Sequence, residues 1–223
     1  MCPHSPLNTR TAHVVGAGAV GCFYGSRLHQ PQHTRPVLVS LVCRSNYAAI
    51  KSHGVRLQTR NYGDYSFHPE HVFPSNAVAG KGYEWDYVVV TTKALPDVTD
   101  DSAAIVPVVG PGTGIVLIQN GVGVEEPYRR QFPRNTVLSA VTIVSAEQVQ
   151  PGVVAQRRWT RISIGPYTNG FGREEGDART REFVELLKQG GIKDAEVYEE
   201  RALQQVRWHK IAVRRKSIQT SNY

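Results

Sequence analysis

The segment 14-VVGAGAVGCFYG-25 limits what this chain can fold into more than any other. Gly16, Gly18 and Gly21 form a GxGxxG turn. Before it, His13 to Gly16 reads as the end of a buried strand, and after it Ala19 to Gln30 can continue as a helix. The first glycine allows the tight turn, the second lets backbone approach a pyrophosphate, and the third lets helix and strand pack closely. The helix N-terminus attracts the anion. Gly16, Ala17, Gly18, Ala19, Val20 and Gly21 are therefore the candidate phosphate cradle. The alternative is a glycine-rich turn without a ligand.

The rest of the chain supports the first reading. Val37 to Cys43, Asp86 to Thr91 and Ile115 to Gln119 are dense β-branched runs of the kind buried in a parallel sheet. Helix candidates lie at 46–53, from Pro96 and Asp97 to about Val109, and at 123–132, and a further strand at 136–145. Strands alternating with helices predict a Rossmann-type doubly wound α/β fold. The first twelve residues read as polar and loose, and 30-QPQHTRP-36 breaks the first helix. After Ala146 the pattern changes: 152–156 and 161–165 read as an antiparallel hairpin or edge pair. A flexible stretch at 168–178, a helix at 179–189 and a short strand at 196–198 follow. A last helix from Glu199 to about Ile211 leaves the sheet.

The ends of the strands carry the chemistry, since ligands in such sheets lie outside the carboxyl edge. The second strand ends in Cys43-Arg44-Ser45, with no acidic residue from there to Lys51. An NAD-type site would place Asp or Glu there for the ribose hydroxyl. Arg44 can instead grip a 2′-phosphate with its guanidinium fork, which points to NADP, or it is a solvated surface arginine. Lys93 follows DYVVVT and either touches cofactor or substrate or starts a helix. Asn120-Gly121 is a common turn pair, yet it too falls at the carboxyl edge and could bond a ribose or nicotinamide. On the last helix Lys210 stands beside bulky apolar residues, where desolvation would lower its pKa and suit acid chemistry. Its alternative is a surface helix lysine.

Composition removes other classes. The net charge is +7, but Arg214, Arg215 and Lys216 supply three of those charges, so a nucleic-acid partner is not expected. Cys2, Cys22 and Cys43 show no metal-ligand spacing, and no metal site is expected. Neither GxSxG nor HExxH occurs. No apolar run of about 18 residues marks a membrane span, and the first residues lack a signal-peptide core. The expectation is a cytoplasmic protein.

Taken in order, GAGAVG, Arg44, Lys93 in TTKA, Asn120-Gly121 in IQNG and Trp208-His209-Lys210 resemble the ketopantoate reductase (2-dehydropantoate 2-reductase) family over roughly His13 to Val213. The resemblance implies an oxidoreductase that reduces 2-dehydropantoate to pantoate with NADPH, in pantothenate biosynthesis. It implies a Rossmann-type domain at 1–198 and, at 199–223, the first helix of a C-terminal helical domain. By the same resemblance Arg44 holds the 2′-phosphate, Lys93 and Asn120 contact the cofactor, and Lys210 is the general acid. The family continues that helix with asparagines at four-residue intervals, where this chain has Arg214 and Ile218. The expectation is a truncated chain with an atypical tail from 214 and little or no turnover. Leu203, Val206 and Trp208 would then be exposed and favour aggregation or a homodimer. The rival readings are a non-catalytic NADP-binding or interaction module, a reductase of another 2-keto acid and, last, a nucleic-acid binder.

Overall fold

The computed structural model describes residues 9–29, 36–94, 100–168 and 172–219, with side chains as far as Ala212. The first βα unit is β1 (Arg10–Val15) and α1 (Ala19–Leu28). It is followed by β2 (Val37–Val42), α2 (Tyr47–His53), the antiparallel pair β3 (Val55–Thr59) and β4 (Gly63–Phe67), then β5 (Val72–Phe73) and α3 (Asn76–Ala79). Next come β6 (Tyr87–Val90), α4 (Asp101–Ala104) with a 3-10 turn at Val106–Val108, β7 (Gly114–Leu117) and α5 (Glu126–Gln131). The chain then forms β8 (Val137–Gln150), β9 (Val153–Pro166), α6 (Arg173–Gln189), β10 (Ala195–Val197) and α7 (Glu200–Gln219).

Strands β5-β2-β1-β6-β7-β8 lie side by side and parallel, the strand order of a Rossmann-type sheet. Strand β9 closes this array antiparallel to β8. Its first half pairs with β3 and its second half with β10. Alternation along each central strand sends side chains to opposite faces. Val14, Val89 and Val116 pack with Phe23, Tyr24, Phe183 and Leu187 on one face. Val15, Val88, Val90, Ile115 and Leu117 pack with Trp85, Ile105, Tyr128 and Phe132 on the other. Both faces are covered, as a parallel sheet requires.

Several boundaries differ from the sequence reading. Strand β1 begins at Arg10, inside the stretch read as loose, because its polar residues have partners. Arg10 pairs with Asp86 at 2.8 Å and Glu182 at 2.6 Å, and the Thr11 amide donates to Asp86 at 2.8 Å. Residues 1–8, 30–35 and 95–99 lie outside the described residues, and so does the expected helix start at Pro96 and Asp97. Helix α6 begins at Arg173, with Glu174 and Glu175 in its first turn where the helix dipole favours them. The segments 152–156 and 161–165 are not a hairpin: residues 153–156 and 161–165 both belong to β9, whose antiparallel partner is β8. A bulge at Trp159 (φ 50°) bends the strand between them, so it changes neighbours without reversing.

His13 on β1 is fully buried, stacked on Trp85 with ring centroids 4.7 Å apart and 3.1 Å from Asn76 Oδ1. Burial pushes its pKa down to about 4, against the opposing hydrogen bond to Asn76. Below about 6.5 the unfolded chain takes up a proton that the folded one refuses, so stability is lost as pH falls from about 6.5 towards 4. Urea midpoints should therefore drop between pH 7 and pH 5, and His13→Asn should flatten that slope. Equal slopes for both proteins would refute this assignment.

Candidate functional site

The turn from β1 into α1 assigns each glycine its own reason. Gly16 has φ +103°, and a Cβ there would stand 3.0 Å from Thr91 Oγ1 and from the Thr92 amide. At Gly21 an added Cβ would lie 2.2 Å from the Gly16 carbonyl and 2.6 Å from Thr91 Oγ1, so helix and turn touch only because the side chain is missing. Gly18 caps α1 without a side-chain bond, and an added Cβ there would meet nothing within 4 Å. The middle glycine thus borders open space. The amides of Ala19, Val20 and Gly21, in the first turn of α1, have no partner within the helix and face that end.

Two residues the sequence reading passed over hold this turn. The Thr91 hydroxyl, just after β6, donates to the carbonyl of Gly16 at 2.6 Å. Asn46 is buried and donates from Nδ2 to the carbonyl of Ala17 at 2.5 Å. The signal for Thr91 was its place as the last residue of a buried strand; Asn46 gave none beyond opening a helix. Arg44 follows β2 and is exposed, its guanidinium available to an anion. Cys22 and Cys43 lie close by. Burial pushes both thiols up to about 12, so neither supplies a thiolate at neutral pH.

At the ends of β6 and β7 the chain is cross-linked by a side-chain amide. Gln119 Nε2 donates to the Thr92 carbonyl at 3.2 Å and to Asp101 Oδ2 at 3.1 Å. Lys93 and Asn120 beside these residues are both exposed. Asn120 is met from above by α7: Lys210 Nζ donates to Asn120 Oδ1 at 2.6 Å and to the Thr142 carbonyl of β8 at 2.5 Å. The structure therefore brings Lys210 and Asn120 together. Arg44 and Lys93 remain at the ends of their own strands.

Helix α7 reaches this edge through a buried ion pair. Arg207 is 2% exposed and stands 3.1 Å from Glu125 Oε1, itself fully buried. Its guanidinium also donates to the carbonyls of Gln119, Gly121 and Ala140 and to Ser139 Oγ, at 2.6–3.2 Å. Burial pulls the Arg207 pKa below the usual arginine value, and Glu125 opposes that pull. Neither partner was singled out in the sequence. The signal for Arg207 was its spacing four residues after Leu203, on the same helix face.

Two expectations for this helix need correction. Leu203 is fully buried and packs near Gly165 of β9, so it does not contribute an exposed apolar stripe. Val206 is half-buried, and Trp208 is 61% exposed. Trp208 thus points away from the face that carries Arg207. The side chains of Arg214 and Ile218 lie outside the described residues.

The strand order and the glycine turn together define a Rossmann-type α/β protein. The chain belongs to the ketopantoate reductase PanE/ApbA family, whose model matches residues 12–169. It is 31% identical over 176 residues to an uncharacterized protein of Saccharomyces cerevisiae, covering 69% of this chain and 48% of that one. With the 2-dehydropantoate 2-reductase of a Nostoc species it shares 25% identity over 206 residues, 92% of this chain and 60% of the other. The crystal structure of 2-dehydropantoate 2-reductase from Methylococcus capsulatus matches it with a TM-score of 0.76 at 28% identity, over 90% of this chain and 60% of that one. The chain thus spans about half the length of the curated relatives it matches.

The glycine geometry yields a paired test. Gly21→Ala should destabilise the protein by about 1–3 kcal/mol through overpacking, which lowers Tm by roughly 2–4 °C per kcal/mol. Gly18→Ala should leave Tm unchanged. Thermal melts of both variants check this, and similar melting points for the two would contradict the packing described.

Proposed function

We propose that this chain binds NADP(H) and takes part in the NADPH-dependent reduction of a 2-keto acid, with 2-dehydropantoate going to pantoate in pantothenate biosynthesis. One observation carries the reading: an ammonium, Lys210, is held by Asn120 and Thr142 at the carboxyl edge of the sheet whose first turn is GAGAVG. The residues fit a dinucleotide. Space is open over Gly18, the first-turn amides of α1 face it, and Arg44 stands exposed where a ribose phosphate would come.

When bound, the nicotinamide supplies a hydride to the ketone carbon. Everything else falls to this chain. Gly16, Ala17, Gly18, Ala19, Val20 and Gly21 offer backbone to the pyrophosphate, and Arg44 offers its fork to the 2′-phosphate. Lys93 and Asn120 would contact the cofactor at that edge. As charge develops on the ketone oxygen, Lys210 Nζ stabilises it and donates a proton. Asn120 orients that ammonium beforehand, since its Oδ1 accepts one of the three N–H bonds.

The same donors would serve another 2-keto acid. Among the described residues no helix is long and apolar enough to cross a membrane, and the proposed setting is the cytoplasm.

The test is NADPH oxidation with 2-dehydropantoate and a small panel of other 2-keto acids. Little turnover is expected of this chain, and whatever rate it shows should fall by about 10²–10⁴-fold in Lys210→Ala, with the Kd for NADPH unchanged. Turnover that survives the substitution would remove Lys210 as the acid. NADPH binding without turnover on any acid would favour the non-catalytic module.

A further inference from the structure

We infer that Arg207 is a positioning residue, which sets the rotation and height of α7 so that Lys210 meets Asn120. The role of Lys210 as an acid rests on the reading above; the positioning does not.

The guanidinium brackets Asn120 in sequence. Its Nη1 binds the carbonyl directly before that residue, Gln119 at 2.7 Å, and the one directly after it, Gly121 at 2.9 Å. The peptide that presents the Asn120 side chain is thus held from both sides by one planar group. Its Nη2 binds Ser139 Oγ at 2.6 Å and the Ala140 carbonyl at 3.2 Å. Ala140 lies two residues before Thr142, whose carbonyl is the other acceptor of Lys210. The segments that carry both partners of Lys210 are therefore tied to the residue one helical turn before it, and positions three apart share a helix face.

Glu125 completes the device from the opposite side. Its Oε1 accepts from Ser139 Oγ at 2.5 Å and from Gln204 Nε2 at 3.0 Å, and lies 3.1 Å from Arg207 Nε. Gln204, Arg207 and Lys210 succeed one another at three-residue steps, and all three bond the sheet edge or the segment that follows it. A lysine at 207 would carry the charge but not the planar fork, so it could not hold both carbonyls.

The test reads Lys210 itself. The intact 223-residue chain is pulsed with an amine-acylating reagent, and Lys210 labelling is measured by peptide mass spectrometry, with the exposed Lys51 and Lys188 as internal references. Arg207→Met alone leaves a buried carboxylate without its cation. The double variant Arg207→Met/Glu125→Leu therefore supplies a second, charge-free comparison, and far-ultraviolet circular dichroism shows which variants are folded. In the folded variant Lys210 should label about fivefold faster or more, relative to the references, once its two acceptors are no longer held in place. An unchanged Lys210 rate in a folded variant would overturn the inference. So would a rise shared equally by Lys51 and Lys188, which marks general loosening. A wild-type chain that binds no NADPH would sink the proposed function instead, while the labelling still decides the role of Arg207.

Discussion

The contact between the Gly16 carbonyl and the bare backbone of Gly21 sets up everything else at the carboxyl edge. A side chain at Gly21 would fall 2.2 Å from that oxygen, a distance no packed protein tolerates. Because it is absent, α1 can start close against the end of β1, with Thr91 tied into the same gap through its hydroxyl. The helix then leaves the sheet edge with its first-turn amides facing outward. Gly18 stays exposed for the same reason. Had the turn been wider, these amides would point elsewhere and Gly18 would border no opening. The proposed anion site is thus a by-product of close packing rather than a separate construction.

The second half of the edge is organised by charge. Burying Arg207 and Glu125 costs solvation that a pair of apolar residues would not. What the pair contributes is direction: bonds from one plane to backbone beyond β7, to β8 and to the segment before α5. A hydrophobic contact can hold a helix against a sheet, but it does not fix rotation about the helix axis. Here that rotation decides whether Lys210 reaches Asn120 or points into solvent as Trp208 does. Losing one partner of such a pair costs about 3–5 kcal/mol, so α7 and the β7–α5 connection stand or fall together.

Much of this was legible in the sequence, for reasons tied to particular residues. Val37 to Cys43 and Asp86 to Thr91 read as buried parallel strands because β-branched side chains fill both faces of each. The glycine turn was readable because each of its three positions has a steric use. Lys210 and Asn120 could be named individually, but not as a contacting pair, since nothing local links a strand end to a helix so far along the chain. The same distance hid Arg207 and Glu125, each of which reads alone as a surface charge. Strand β9 was misread for a different reason. Arg157 and Arg158 interrupt its apolar pattern and resemble a turn, whereas the chain bulges at Trp159 and continues. Leu203 was misjudged as exposed because the surface it covers, near Gly165, lies on a strand whose course was not apparent.

The central claim is that this edge binds a dinucleotide carrying a 2′-phosphate, and that Arg44 reads that phosphate. It is tested most directly by fluorescence titration of the wild-type chain and Arg44→Ala with NADPH and with NADH. The account predicts that the wild type binds NADPH at least about tenfold more tightly than NADH, an advantage of about 1.4 kcal/mol, and that Arg44→Ala abolishes the difference by weakening NADPH alone. Equal wild-type affinity for the two cofactors would contradict it, as would a preference for NADPH that survives the loss of Arg44.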